Sequence, residues 1–216
     1  MDFHFIFEKL PYLLEGSILT IQLSVVTIFS GTLLGIFLAF CKISKNKVIS
    51  SISAFYTWIF RGTPLMLQLF FFYYALPGMG ITMNGFVAAS LGLSLNCAAY
   101  MAEIIRGGIL AIDKGQFEAS KALGFTYLQT MTKIILPQTF RIIIPPVGNE
   151  FIAMLKDTSL VSALSMTDLM KTTSNISSAT LKYPEMYLSA ACVYLLMTTV
   201  FTTGFSVIEK KLSRYS

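Results

Sequence analysis

The sequence predicts an all-α polytopic membrane protein, with five transmembrane helices joined by short helices at one membrane surface. Three observations carry this. Of 216 residues, 55% are hydrophobic and 12% charged, and mean hydropathy is +0.69, outside the range of soluble domains. Four or five segments approach or exceed the ~20 apolar residues that cross a bilayer as a helix. No alternating ten-residue pattern suggests a barrel. The whole chain, 1–216, reads as a single membrane domain with no internal repeat.

The first span, about 17–41, has no charge between Glu15 and Lys42. Residues 1–15 lack the basic start and small-residue cleavage site of a signal peptide, so this span is expected to be retained. The second, about 51–76, is interrupted at Phe60-Arg61-Gly62-Thr63-Pro64. Proline removes an intrahelical hydrogen bond, and lipid tolerates that only where protein or a wet cavity satisfies the freed groups. The third runs from about 84 to 105. Residues 106–133, with Asp113, Gly115 and Gly124 as punctuation, predict two or three short surface helices. The fourth, about 136–164, carries Pro137, Pro145, Pro146, Asn149, Glu150, Lys156 and Asp157, unlike any lipid-facing helix. Residues 165–185 predict a short helix and loop, and 186–208 the fifth span.

Charge orients the layout. Segments 42–50, 106–133 and 209–216 hold ten basic residues, Arg214 among them, against three in 1–15, 77–83 and 165–185. By the positive-inside rule the N-terminus lies outside and the C-terminus in the cytoplasm. Basic residues gathered at span ends record topology, so the net charge of +5 argues for a membrane-lipid setting and against nucleic acid. Cys41, Cys97 and Cys192 lack metal-ligand spacing and read as small core residues. His4 has no partners at ligand spacing, so no metal site is expected. It is the only histidine, which leaves no Ser/His/Asp set and argues against chemistry on a substrate.

Ionisable residues at membrane depth cost ~2.5–3.5 kcal/mol each, so they face an interior or a polar pathway. Arg61 and Gln68 are seven apart. Asn96, Tyr100 and Glu103 fall at i, i+4 and i+7, and Glu150 and Asp157 share a stripe beside Asn149 and Lys156. Acids, a base and amides together suit a zwitterion such as a small amino acid. The expected substrate pathway comprises Gln68, Asn96, Tyr100, Glu150, Met154, Lys156 and Asp157. Arg61, Gly62, Pro64, Glu103 and Arg106 are expected to serve structure or gating, with Arg61 paired to Glu150 or Asp157 or reaching for the inner surface.

The stretch Glu118-Ala119-Ser120-Lys121-Ala122-Leu123-Gly124, with Ile135-Leu136-Pro137, resembles the EAA motif in permease subunits of ATP-binding cassette importers. Three further blocks, Phe60 to Leu65, Ala102 to Ile109 and Gly148 to Leu160, resemble the polar amino acid uptake branch. Ser120 departs from the motif's second Ala, but is small enough to keep close packing. The resemblance implies a type I importer permease fold and a dimer of permeases. It also implies cytoplasmic ATP-binding subunits that use ATP and Mg, and an extracytoplasmic amino-acid-binding protein. No cofactor is expected on this chain, which has no ATPase domain in its sequence. Ala119 and Ala122 would present a low-relief face for docking, Glu118 would sit at the helix start, and Gly124 would end that helix. The bland alternative for this loop is an amphipathic helix lying on headgroups. Rival functions are an ion-coupled secondary transporter, an intramembrane enzyme, and a receptor or channel subunit.

Overall fold

A computed structural model describes residues 1–213. The expectation resting on Arg214 lies outside the described residues. The helices in chain order are α1 (Phe3–Lys42), α2 (Lys47–Gly62), α3 (Leu65–Phe70), α4 (Leu76–Gly78), α5 (Gly85–Leu110), α6 (Lys114–Ala122), α7 (Tyr127–Thr130), α8 (Leu136–Asp157), α9 (Leu169–Thr180) and α10 (Tyr183–Ser213). Two π-helical turns, Phe71–Ala75 and Met131–Ile135, join α3 to α4 and α7 to α8 without a loop, and a 3-10 turn, Thr158–Leu164, directly follows α8.

The first helix begins well before the first apolar span. Asp2 caps it by accepting from the Phe5 N–H at 3.0 Å, so residues 3–15 belong to this helix rather than to a separate segment. Forty residues at 1.5 Å each extend ~60 Å, about twice the hydrocarbon core. The extra turns are tied down: Lys182, just before α10, pairs with Asp2 at 2.6 Å. That hydrogen bond holds the Asp2 carboxyl below its ordinary pKa.

Packing centres on α1 against α5. Both bury mainly small residues there: Ser24, Thr27, Gly31 and Gly35 on α1, Cys97, Ala98 and Ala102 on α5. A Cβ on Gly31 would lie 2.7 Å from Cys97 Sγ, and one on Gly35 2.6 Å from Met101 Cβ. The backbones therefore approach more closely than any larger residue permits, as is usual where lipid supplies no hydrophobic drive between helices. A Ser30–Ser94 hydroxyl pair at 2.7 Å crosses the same seam. Around it, α1, α8, α9 and α10 meet at Leu13, Leu155, Leu169 and Met186, and α1, α3 and α5 at Leu23, Leu69 and Leu93.

Three described helices are long and apolar enough to cross a membrane: α1, α5 and the 183–211 stretch of α10. The other two expected spans fall short for identifiable reasons. The first is split, with α2 ending at Gly62 and Leu65–Gly78 forming a shorter apolar piece. The other, α8, is diluted by the polar residues noted above. Of the cysteines, Cys97 is a core residue but Cys192 is exposed, on the outer side of α10, which corrects the expectation for that position.

Replacing Gly35 with Leu is expected to destabilise the purified chain by ~1–3 kcal/mol through overpacking. Gly204→Ala, where nothing lies within 4 Å, should cause no loss. Denaturant midpoints in one detergent check both.

Candidate functional site

The break in the second span organises the polar residues. Because Pro64 has no N–H, the Phe60 carbonyl loses its helical donor. Two side-chain amides replace it: Gln68 Nε2 and Asn96 Nδ2 each donate to Phe60 O at 2.9 Å. Gln68 Nε2 also reaches Thr63 O at 3.2 Å and Thr63 Oγ1 at 2.7 Å, while its Oε1 accepts from Asn96 Nδ2 at 3.0 Å. Both amides are buried. Their donors are thus engaged in holding the break, which corrects the expectation that they orient a substrate. The break also ends the seven-residue stripe from Arg61 to Gln68, leaving Arg61 exposed and Gln68 buried.

Arg61, Gly62, Thr63 and Pro64 all stand on the surface of the chain. The Arg61 guanidinium lies 5.2 Å from the centroid of the Tyr100 ring, a cation–π arrangement. The expected Arg61 ion pair with Glu150 or Asp157 is not among those formed by the described residues. Tyr100 is half-buried on α5, one turn below Asn96.

On α8, Glu150 and Asp157 are half-buried on their shared stripe, and Asn149 and Lys156 are exposed on the neighbouring one. Glu150 Oε1 is inaccessible and has no hydrogen-bond partner. Met154 points the other way. It packs in the core with Cys97 and Met101, because its position on α8 faces α5, so its place in the expected pathway is corrected.

Glu103 is the centre of two ion pairs. Lys42 holds Oε1, and Arg106 holds Oε2 at 2.9 Å.

The loop after α5 is built as a compact turn. Asp113 caps α6 by accepting from Gly115 N at 2.7 Å, so Glu118 lies mid-helix rather than at its start, and its expected benefit from the helix dipole passes to Asp113. Ser120 is buried, its hydroxyl donating to Gln116 O at 2.5 Å, while Glu118, Ala119 and Ala122 are exposed. Gly124 adopts φ +78°, which lets the Phe125 N–H reach the Ser120 carbonyl at 3.0 Å. Exposed Leu123, Tyr127 and Leu128 continue the apolar surface. The side facing the body closes over Ile105, Ile109, Ile112, Met131 and Ile135. Pro137 stands in the first turn of α8.

Residues 31–214 match the family described as "Binding-protein-dependent transport system inner membrane component". The chain is 41% identical over 213 residues to the arginine transport system permease protein ArtQ of Bacillus subtilis (strain 168), covering 98% of this chain and 97% of that one. It is 40% identical over 205 residues to GlnP of Rickettsia bellii (strain RML369-C), named for glutamine transport, covering 94% of each. The fold superposes on a crystal structure of an amino acid ABC transporter with histidines at a TM-score of 0.92, with 38% identity and coverage of 98% and 99%. An inward-facing MetNI methionine ABC transporter shares the fold, at a TM-score of 0.81, 18% identity and coverage of 95% and 98%.

Asn96→Leu is expected to destabilise the chain by ~1–3 kcal/mol, by stripping a buried acceptor of a donor. In a Pro64→Ala background the cost should shrink, since residue 64 then offers its own N–H to Phe60. A thermodynamic cycle of unfolding midpoints measures the difference.

Proposed function

The chain belongs to the family of binding-protein-dependent transport system inner membrane components, and from that premise we propose that it forms the pathway by which a polar or charged amino acid enters the cytoplasm. Members are permeases and not enzymes. They work with separate ATP-binding subunits and with a substrate-binding protein. In our reading the ATPase grips α6 from the cytoplasm, consuming ATP and Mg, and the binding protein delivers substrate from the opposite side. The membrane is crossed five times, N-terminus outside and C-terminus inside, as the charge asymmetry argues.

The observation that carries the substrate reading is the unpartnered Glu150 oxygen on one stripe with Asp157. A buried carboxylate oxygen without a donor is costly until something cationic or amide-bearing approaches it. Relatives named for arginine and glutamine transport fit that preference. Arg61 and Lys156, both exposed, supply positive charge for a substrate carboxylate.

Exposed polar groups at membrane depth also argue for a second permease, identical or related. Asn149 and Lys156 on α8, and Arg61 beside the break, cannot face lipid cheaply. A second copy set against this face encloses them in a shared polar interior. ATP-driven movement of the paired loops then alternates access to the site.

Two outcomes are expected in proteoliposomes holding permease, ATPase and binding protein. Glu150→Gln should weaken uptake of a cationic amino acid by about tenfold, the equivalent of one charge-assisted hydrogen bond, while the complex assembles normally. Unchanged uptake kinetics would overturn the site. Gly124→Val, strained at positive φ, should depress transport per ATP hydrolysed while the chain still inserts. Unchanged coupling would overturn the role of this turn.

A further inference from the structure

The helix α2 is attached to the body in an unusual way. Its only buried residues are Ser53 and Thr57; Val48, Ile52, Phe55 and Trp58 are exposed, Ile59 and Phe60 are half-buried, and Tyr56 packs beside Leu38, Ala98 and Ala102. Hydrogen bonds also seat it. Ser50 Oγ donates to Lys42 O at 2.8 Å, Ser53 Oγ to Leu38 O at 2.8 Å, and Tyr56 OH to Leu95 O at 2.7 Å. Lys42 Nζ donates to Thr57 Oγ1 at 2.7 Å. Apart from Tyr56 on the Leu38, Ala98 and Ala102 cluster, this seam is polar, so sliding along it costs less than sliding across a fully apolar core.

One ionic centre crosses this seam. Lys42, at the last turn of α1, touches Thr57 of α2 and at the same time pairs with Glu103 of α5. Arg106 grips the other oxygen of Glu103 through both Nε and its terminal nitrogen, each at 2.9 Å. The Lys42 and Glu103 side chains are only 19% and 15% exposed, so the pairs are better shielded from salt than a surface bridge. From Arg106, α5 runs one further turn to Leu110, and α6 begins at Lys114. The inner ends of α1, α5 and α8 share a core with Phe117 of α6. Displacement of α6 therefore reaches the inner end of α5, through the short 111–113 link and the shared core, as well as the start of α8. At the opposite end α2 terminates in the break, beside Arg61.

We propose that Glu103 is a positioning residue for transport: held by Lys42 and Arg106, it makes α2 follow α5, so that force applied at α6 moves the Arg61–Pro64 break. This rests on the reading that α6 docks the ATPase. The alternative, that the clamp merely stabilises the fold, predicts that transport and ATP hydrolysis fall together.

The test uses the reconstituted complex of permease, ATPase and binding protein, with Glu103→Gln. The ATPase should co-purify as with the wild type and retain basal hydrolysis, while uptake per ATP falls by ~5-fold or more, the range of ordinary coupling energies. Spin labels on Phe55→Cys and Leu110→Cys, in a chain with its native cysteines removed, report the mechanics. Their separation should hold constant between nucleotide-free and ATP-bound states, and should change between those states once Glu103 is Gln. Exchanging the charges, Lys42→Glu with Glu103→Lys, should restore part of the ratio. An unchanged uptake-to-hydrolysis ratio, or a parallel loss of both, overturns the proposal. Failure of the docking reading is distinct, because Gly124→Val would then leave coupling unchanged, or the ATPase would fail to bind the wild type.

Discussion

Everything in this fold hangs on the closeness of α1 and α5. At Gly31 and Gly35 the first helix comes so near that a single added carbon would intrude on Cys97 and Met101. Lipid offers no gain for hiding apolar side chains, so helices here associate through contact area and polar cross-links, and small residues maximise both. With α5 fixed against α1, its outer half presents Asn96 to the break and its inner end carries Glu103 to Lys42. The same helix continues to the α6 turn, so one close-packed pair sets the positions of the break, the ionic clamp and that turn.

Proline shapes the rest. At Pro64 the helix stops, and two buried amides take over the abandoned carbonyl. At Pro77 and Pro137 the outcome differs: each follows a five-residue π turn by one leucine, after Phe71–Ala75 and Met131–Ile135. A proline cannot donate to the carbonyl four residues back, and a wider turn before it shifts the ladder so that the chain continues as helix. At these three positions proline yields a break where side chains stand ready and a bulge where they do not, while Pro11, Pro145 and Pro146 are carried inside α1 and α8.

Much of this was legible in the sequence. Apolar runs located α1, α5 and α10, the break was marked by Gly62 and Pro64, and Gly124 announced a left-handed turn. The loop at 106–133 could be read because polar helix-forming residues stand out against apolar spans. Helical periodicity misled where the helix itself failed. The spacing of Arg61 and Gln68 meant one face only if the helix ran through Pro64, and it does not. The work of Gln68 and Asn96 was hidden for a related reason, since a side chain that satisfies a distant carbonyl cannot be told by spacing from one that awaits a ligand. Met154 required knowing which side of α8 meets α5. The signal for the amides was present all the same: a proline within an apolar run demands a donor, and buried amides nearby are the obvious source.

The long outer extension of α1 has a consequence for how the protein is made. Its first turns rest on partners near the other end of the chain: Phe5 and Leu13 pack with Met186, Val193 and Met197, and Asp2 bonds Lys182. None of these exists when α1 leaves the ribosome. The opening segment must wait, apolar and unpaired, until nearly the whole polypeptide has been synthesised, and only the arrival of α10 gives it a place. The order of synthesis and the order of folding therefore run in opposite senses at this end of the molecule.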